Sequence, residues 1–145
     1  MPERKIAYQR LEHKADSGFL VTAPSLARLY IDAALVLTDH LVKLPGISDR
    51  EREQVKLDAP DKEGLMVKWL SEVLFLFEHK KFLSKRIVFD KFDGVQIQAT
   101  LWGQKYEPLK HGTISEIKAV TYHQLAVGYE ETPEPHFFAR VFLDL

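Results

Sequence analysis

The chain has 145 residues, enough for one core that buries about two-thirds of the surface its unfolded form exposes, and its 46% hydrophobic content excludes a disordered tail. Its 20 Lys and Arg are offset by 21 Asp and Glu, so no general field draws in nucleic acid or an anionic membrane, and any such binding has to be local. The absence of Cys excludes disulfides, thiolate metal sites and cysteine nucleophiles, while the polar start Met1-Pro2-Glu3-Arg4-Lys5, with no long apolar run after it, predicts neither signal peptide nor membrane span and points to the cytoplasm.

No repeat, low-complexity tract or Pro/Gly/Ser linker divides the sequence, which predicts a single domain over residues 1–145. Gly18 to Thr22 is a short apolar strand. Pro24-Ser25 then opens a helix, with Ser25 as its cap and Leu26, Leu29, Tyr30, Ala33, Leu37 and Leu41 recurring at three- and four-residue spacing up to Pro45-Gly46. Glu51 to Asp58 alternates between charges and the apolar Val55 and Leu57, as a half-exposed strand does. Asp61 caps a second helix, whose Leu65, Met66, Trp69, Leu70, Val73, Leu74 and Phe77 form the wide apolar face of a buried element.

Beyond that helix the period changes to two. Ile87 and Phe89, then Val95, Ile97, Ala99 and Leu101, alternate on either side of Asp93-Gly94, a hairpin signal. After Pro108 and Gly112, Ile117 to Tyr129 and Phe137 to Leu143 read as two more strands, joined by the proline-containing turn Glu130 to Pro135. The expected fold class is therefore α+β: a single domain built on a mostly antiparallel β-sheet, with two main helices packed on one side of it.

The six histidines show no H-E-x-x-H spacing, and the phosphate-loop, dinucleotide and nucleophile-elbow motifs are all missing, which removes the usual anchors of zinc hydrolases, nucleotide enzymes and serine hydrolases. Two acidic residues are notable for their placement: Asp16, in the turn between the first two strand candidates, and Asp144, one residue before the C-terminus on an apolar strand. If a sheet joins those segments, their carboxylates and the Leu145 main-chain oxygens supply part of the oxygen shell that Ca²⁺ or Mg²⁺ requires; otherwise Asp16 satisfies its own turn and Asp144 stays solvated. His79-Lys80-Lys81 with Lys85-Arg86 forms a basic cluster that either touches an RNA backbone or complements a helix C-terminus. By pattern alone Lys118 is an outward-facing strand residue, and His13 and His123 are structural histidines.

Taken together, these segments resemble the archease family, accessory proteins of the RtcB-type GTP-dependent RNA ligase. The resemblance runs through His13-Lys14-Ala15-Asp16, the apolar stripe from Ser25 to Leu41, the helix Leu65 to Phe77 and Gly103 with His111. Its most specific parts are the run Glu116-Ile117-Lys118-Ala119-Val120-Thr121-Tyr122-His123 and the ending Leu143-Asp144-Leu145. It implies a non-catalytic, chaperone-like activator of the ligase in tRNA splicing or RNA repair, which promotes guanylylation and multiple turnover and meets RNA only through the ligase. It also implies a divalent metal, Ca²⁺ first with Mg²⁺ or Mn²⁺ as alternatives, held by Asp16, Asp144 and Leu145, with Lys118 as the activating residue and His13 and His123 in support. Three positions depart from the family's usual pattern: Lys14 in place of Thr, Lys68 in place of an acidic residue and Gln104 in place of Glu. Two other classes of function are weighed beside it, a metal-dependent phosphoesterase of RNA ends and a general RNA-binding or chaperone module.

Overall fold

The structure is a computed structural model that describes residues 5–12 and 16–145, with Glu12 and Asp16 described by their backbone alone. Seven strands and three helices follow one another as β1 (Ala7–Glu12), β2 (Asp16–Ala23), α1 (Leu26–Leu41), β3 (Glu51–Asp58), α2 (Lys62–Lys80), β4 (Phe82–Phe92), β5 (Gln96–Lys105), the one-turn α3 (Pro108–His111), β6 (Ala119–Glu130) and β7 (His136–Asp144). A single 3₁₀ turn at Leu44–Gly46 follows α1.

Both main helices begin where their caps predict. The Ser25 hydroxyl accepts from the Arg28 N–H at 3.2 Å and the Asp61 carboxylate from the Gly64 N–H at 2.7 Å, each satisfying a donor that the first turn leaves free. At the far end of α2, Lys81 turns left-handed (φ 59°) and returns its N–H to the carbonyls of Leu76 and Phe77. The β4–β5 hairpin closes on Asp93, whose carboxylate accepts from the N–H groups of Val95 and Gln96 at 3.0 and 2.8 Å, while Gly94 takes the φ of 92° that a side chain would resist.

The strands form two antiparallel sheets where one was expected. One has the order β1-β2-β7-β6 and the other β3-β5-β4. The division has a physical reason in the helices. Both α1 and α2 touch strands of both sheets, and each buries side chains around most of its circumference: Leu29, Tyr30, Ala33, Ala34, Val36 and Leu37 in α1, and Leu65, Met66, Trp69, Leu70, Val73 and Leu76 in α2. A helix apolar over that much of its surface needs more cover than one sheet provides. At the helix contact the fully buried Trp69 donates its indole N–H to the Tyr30 carbonyl at 2.8 Å, and Tyr30 donates its hydroxyl to the Lys62 carbonyl at 2.6 Å. Burial, reinforced by the nearby Glu63 and Asp61 carboxylates, pushes the Tyr30 hydroxyl well above the usual phenol range, so it stays a donor.

Candidate functional site

The chain's two ends meet through the four-stranded sheet. β2 and β7 run antiparallel in a register that sets the apolar Phe19 and Val21 beside Val141 and Ala139, all of them buried. Apolar positions of both strands thereby face the core together, and a slip of one residue would turn them to solvent. The same register sets Asp16, the first residue of β2, directly opposite Asp144, the last of β7. On the other side of β7, Asp144 pairs with Ala119, and the Lys118 N–H donates to the Asp144 carbonyl at 2.8 Å.

Asp16, Asp144 and Ala119 thus lie in one row across the end of three neighbouring strands, with Lys118 one residue outside it, and Asp16 and Asp144 come from opposite ends of the sequence. Gly18 is part of what keeps the row tight. A Cβ there would come within 2.5 Å of the Val141 carbonyl oxygen and 2.8 Å of the Phe142 ring, so any larger residue forces β2 away from β7. Asp144, Leu145 and Lys118 are all exposed, which leaves the row open to a ligand or a partner.

The donors suit a hard cation: carboxylates and main-chain oxygens, with no imidazole or thiolate among the expected set. The Asp144 carbonyl is already engaged by Lys118, so from that residue the carboxylate is the available ligand. Among the described residues no three His, Asp or Glu side chains gather into a metal-binding group, and the Asp16 carboxylate falls outside those residues. His13 and Lys14 also lie outside the described residues.

His123 is placed differently. Between the pairs Thr121–Phe142 and Ala126–Arg140 the β6–β7 register breaks, so that residues 122–125 of β6 stand against Val141 alone. This bulge is held by Arg140, whose Nε donates to the Gln124 carbonyl at 2.8 Å, and Gln124 adopts a φ of 48°. The His123 ring packs edge-on against Phe142, with centroids 5.6 Å apart, and Tyr122 projects from the bulge, 67% exposed. No sequence signal marks this bulge, because its left-handed residue is neither Gly nor Asn.

The basic cluster is occupied with structural contacts. Lys80 Nζ meets both Glu53 carboxylate oxygens at 3.2 Å, Lys85 Nζ donates to the Leu44 carbonyl at 2.6 Å, and Arg86 pairs with Asp49 at 3.4 Å while lying 3.9 Å from the Trp102 ring centroid. His79 stacks on Phe75, one turn earlier in α2. Two of the three departures from the family's pattern also have roles. Lys68 donates to the Asp58 carbonyl at 2.8 Å, fastening α2 to the end of β3, and buried Gln104 accepts from the Ser48 N–H and Lys110 Nζ, each at 2.7 Å, while donating to Glu107 at 3.1 Å.

Comparison with known proteins agrees with the sequence resemblance. The model of the archease protein family matches residues 8–145. "Protein archease" of Methanosarcina mazei is 37% identical over 134 residues, covering 86% of this chain and 88% of that protein. "Protein archease" of Pyrobaculum islandicum is 32% identical over 128 residues, covering 86% and 87%. The solution structure of Methanobacterium thermoautotrophicum protein 1598 superposes with a TM-score of 0.78 at 27% identity, covering 95% of this chain and 98% of that one.

Proposed function

The chain belongs to the archease family, and from that membership and the placement of Asp16 opposite Asp144, with Lys118 bonded to Asp144 by its main chain, we propose that it is a non-catalytic activator of an RtcB-type GTP-dependent RNA ligase. In this reading it acts in the cytoplasm, in tRNA splicing or RNA repair, and promotes guanylylation and multiple turnover of the ligase. RNA is met through the ligase and not by this chain alone, in keeping with the chain's near-neutral charge and with a basic cluster already engaged in internal contacts.

The observation that carries the proposal is the strand register. It sets the backbone of Asp16 opposite that of Asp144, with the Lys118 N–H bonded to Asp144 from the other side, which supports reading the three positions together. The Asp16 and Asp144 carboxylates with a Leu145 main-chain oxygen would hold a divalent cation, Ca²⁺ or else Mg²⁺ or Mn²⁺, and a bound cation supplies a concentrated positive charge for phosphate oxygens. Lys118 adds a flexible point charge to the same edge, suited to a phosphate or a carboxylate of the partner. Its main chain is pinned to β7 while its side chain is exposed to a partner.

The test is ligation of RNA halves by a purified RtcB-type ligase held well below substrate concentration. Addition of this protein is expected to raise the number of turnovers, and Lys118→Ala is expected to remove the effect. Metal-dependent cleavage of terminal phosphates by this protein alone would instead favour a phosphoesterase.

A further inference from the structure

An open groove adjoins Lys118. It runs between the C-terminal ends of α1 and α2 and the segment that leads into β6, and its apolar lining is Leu41, Phe77, Ile114 and Ile117. Its charged lining is Glu78 and Lys81 from the end of α2, facing Glu116 and Lys118 from the incoming segment, and all four are exposed.

The walls are fixed by main-chain bonds, so the groove exists before any partner arrives. The Tyr106 N–H donates to the Lys81 carbonyl at 2.7 Å, the Ser115 N–H to the Leu41 carbonyl at 3.2 Å, and the Lys118 N–H to the Asp144 carbonyl at 2.8 Å. Lys81 lies with its ammonium 5.5 Å from the Phe77 ring, which holds the side chain over the floor of the groove. Such preorganisation lowers the ordering cost of binding.

We infer that this groove seats an extended segment of the ligase, one apolar side chain of which enters between Phe77 and Ile114 while flanking side chains carry both signs of charge. The charge pattern selects that occupant. Two carboxylates and two ammonium groups line the groove, so a polyanion such as RNA meets repulsion from Glu78 and Glu116 as well as attraction from Lys81 and Lys118. A polypeptide segment can set a cation against each carboxylate and a carboxylate against Lys81, leaving Lys118 to the activating edge. The inference rests on the activator reading and adds to it the surface by which the ligase is held, as distinct from the edge at which it is activated.

The experiment is a titration of ligase turnover with the full chain, comparing wild type, the doubly substituted Glu78→Lys/Glu116→Lys, Ile114→Asp and Lys118→Ala. The charge-reversed variant, altered only at exposed positions, is expected to need at least about tenfold more protein for half-maximal stimulation while reaching the same plateau. Ile114→Asp is expected to shift likewise, with its folding checked by circular dichroism, whereas Lys118→Ala lowers the plateau itself. If wild type stimulates and the charge-reversed variant titrates as wild type does, the docking inference is overturned while the activator reading stands. A lack of stimulation by wild type removes both. RNA binding by the isolated protein that is strengthened by Glu78→Lys/Glu116→Lys, or a dimer of this chain abolished by it, would assign the groove to a different occupant and also overturn the inference.

Discussion

The main-chain N–H of Lys118 donates to the carbonyl oxygen of Asp144 across 2.8 Å, one step outside the last residue pair of β6 and β7. That bond fixes the base of Lys118 beside the residue whose carboxylate is the expected metal ligand, and it makes the two positions respond together to any displacement of β7. Asp144 is in turn paired with Asp16 on its other side, so the proposed site has its geometry from sheet register and not from a loop.

Metal binding is the first consequence. Isothermal titration with Ca²⁺, Mg²⁺ and Mn²⁺ is expected to show one site, with Asp144→Asn and Asp16→Asn each weakening affinity at least about tenfold. Lys118→Ala is expected to leave the affinity within about a factor of three of wild type, since its ammonium is assigned to the partner. Heats unchanged by both Asn substitutions would remove the metal from the account.

Gly103 lets β4 and β5 approach closely in the second sheet. A Cβ at this position would lie 1.8 Å from the Leu83 carbonyl oxygen and 2.8 Å from its carbon, both main-chain atoms that cannot swing aside. Gly103→Ala therefore has to part β4 from β5, at a cost of about 1–3 kcal/mol or more, read from urea unfolding. An unchanged midpoint would show that the strands yield freely there.

Gln104 stands where the resemblance leads one to expect Glu, and its contacts give a prediction. A Glu in its place keeps the two acceptor contacts with Ser48 and Lys110 but loses the donor to Glu107, setting a buried carboxylate about 3.1 Å from an exposed one. Gln104→Glu is expected to destabilise this chain by about 1–3 kcal/mol at neutral pH, and pairing it with Glu107→Gln should recover most of the loss. Equal unfolding free energies for the single substitution and wild type would contradict this.

His40 contributes to the response to acid. Burial first, then the cations Arg10 and Lys43, hold its imidazole below the ordinary value of 6.5, with Asp39 opposing. The unfolded chain therefore takes up this proton at a higher pH than the folded one. The effect is absent above the ordinary histidine range, and stability is lost as pH falls through 6.5 toward the folded value. Chemical unfolding at pH 7.5 and at pH 5.5 is expected to show a larger loss for wild type than for His40→Gln. An equal loss would exclude His40 as the cause.

Much of the architecture is legible in the sequence, because the signals are local. Ser25 and Asp61 cap their helices, Asp93-Gly94 turns its hairpin, and the alternation of Val95, Ile97, Ala99 and Leu101 is that of β5. The split into two sheets is not legible, since the alternation of β3 is the same whether it pairs with β5, as it does, or with β2. Asp16 and Asp144 can be chosen as acidic residues at strand ends, but their direct opposition follows from how Phe19 and Val21 meet Ala139 and Val141 across β2 and β7, and spacing along the chain does not encode that. The resemblance to a known family supplied the link that spacing could not. The groove beside Lys118 was invisible for the same reason, its charges coming from α2 and from the segment before β6.

The most direct measurement of the central claim is multiple-turnover RNA ligation by a purified RtcB-type ligase with wild type, Asp16→Ala, Asp144→Ala and Lys118→Ala proteins added in equal amount. The account predicts that wild type raises turnover at least about tenfold and that each substitution returns it to the level of ligase alone, with thermal unfolding showing all three variants folded. Stimulation by Asp144→Ala and Lys118→Ala equal to that of wild type, or none by wild type, would contradict it.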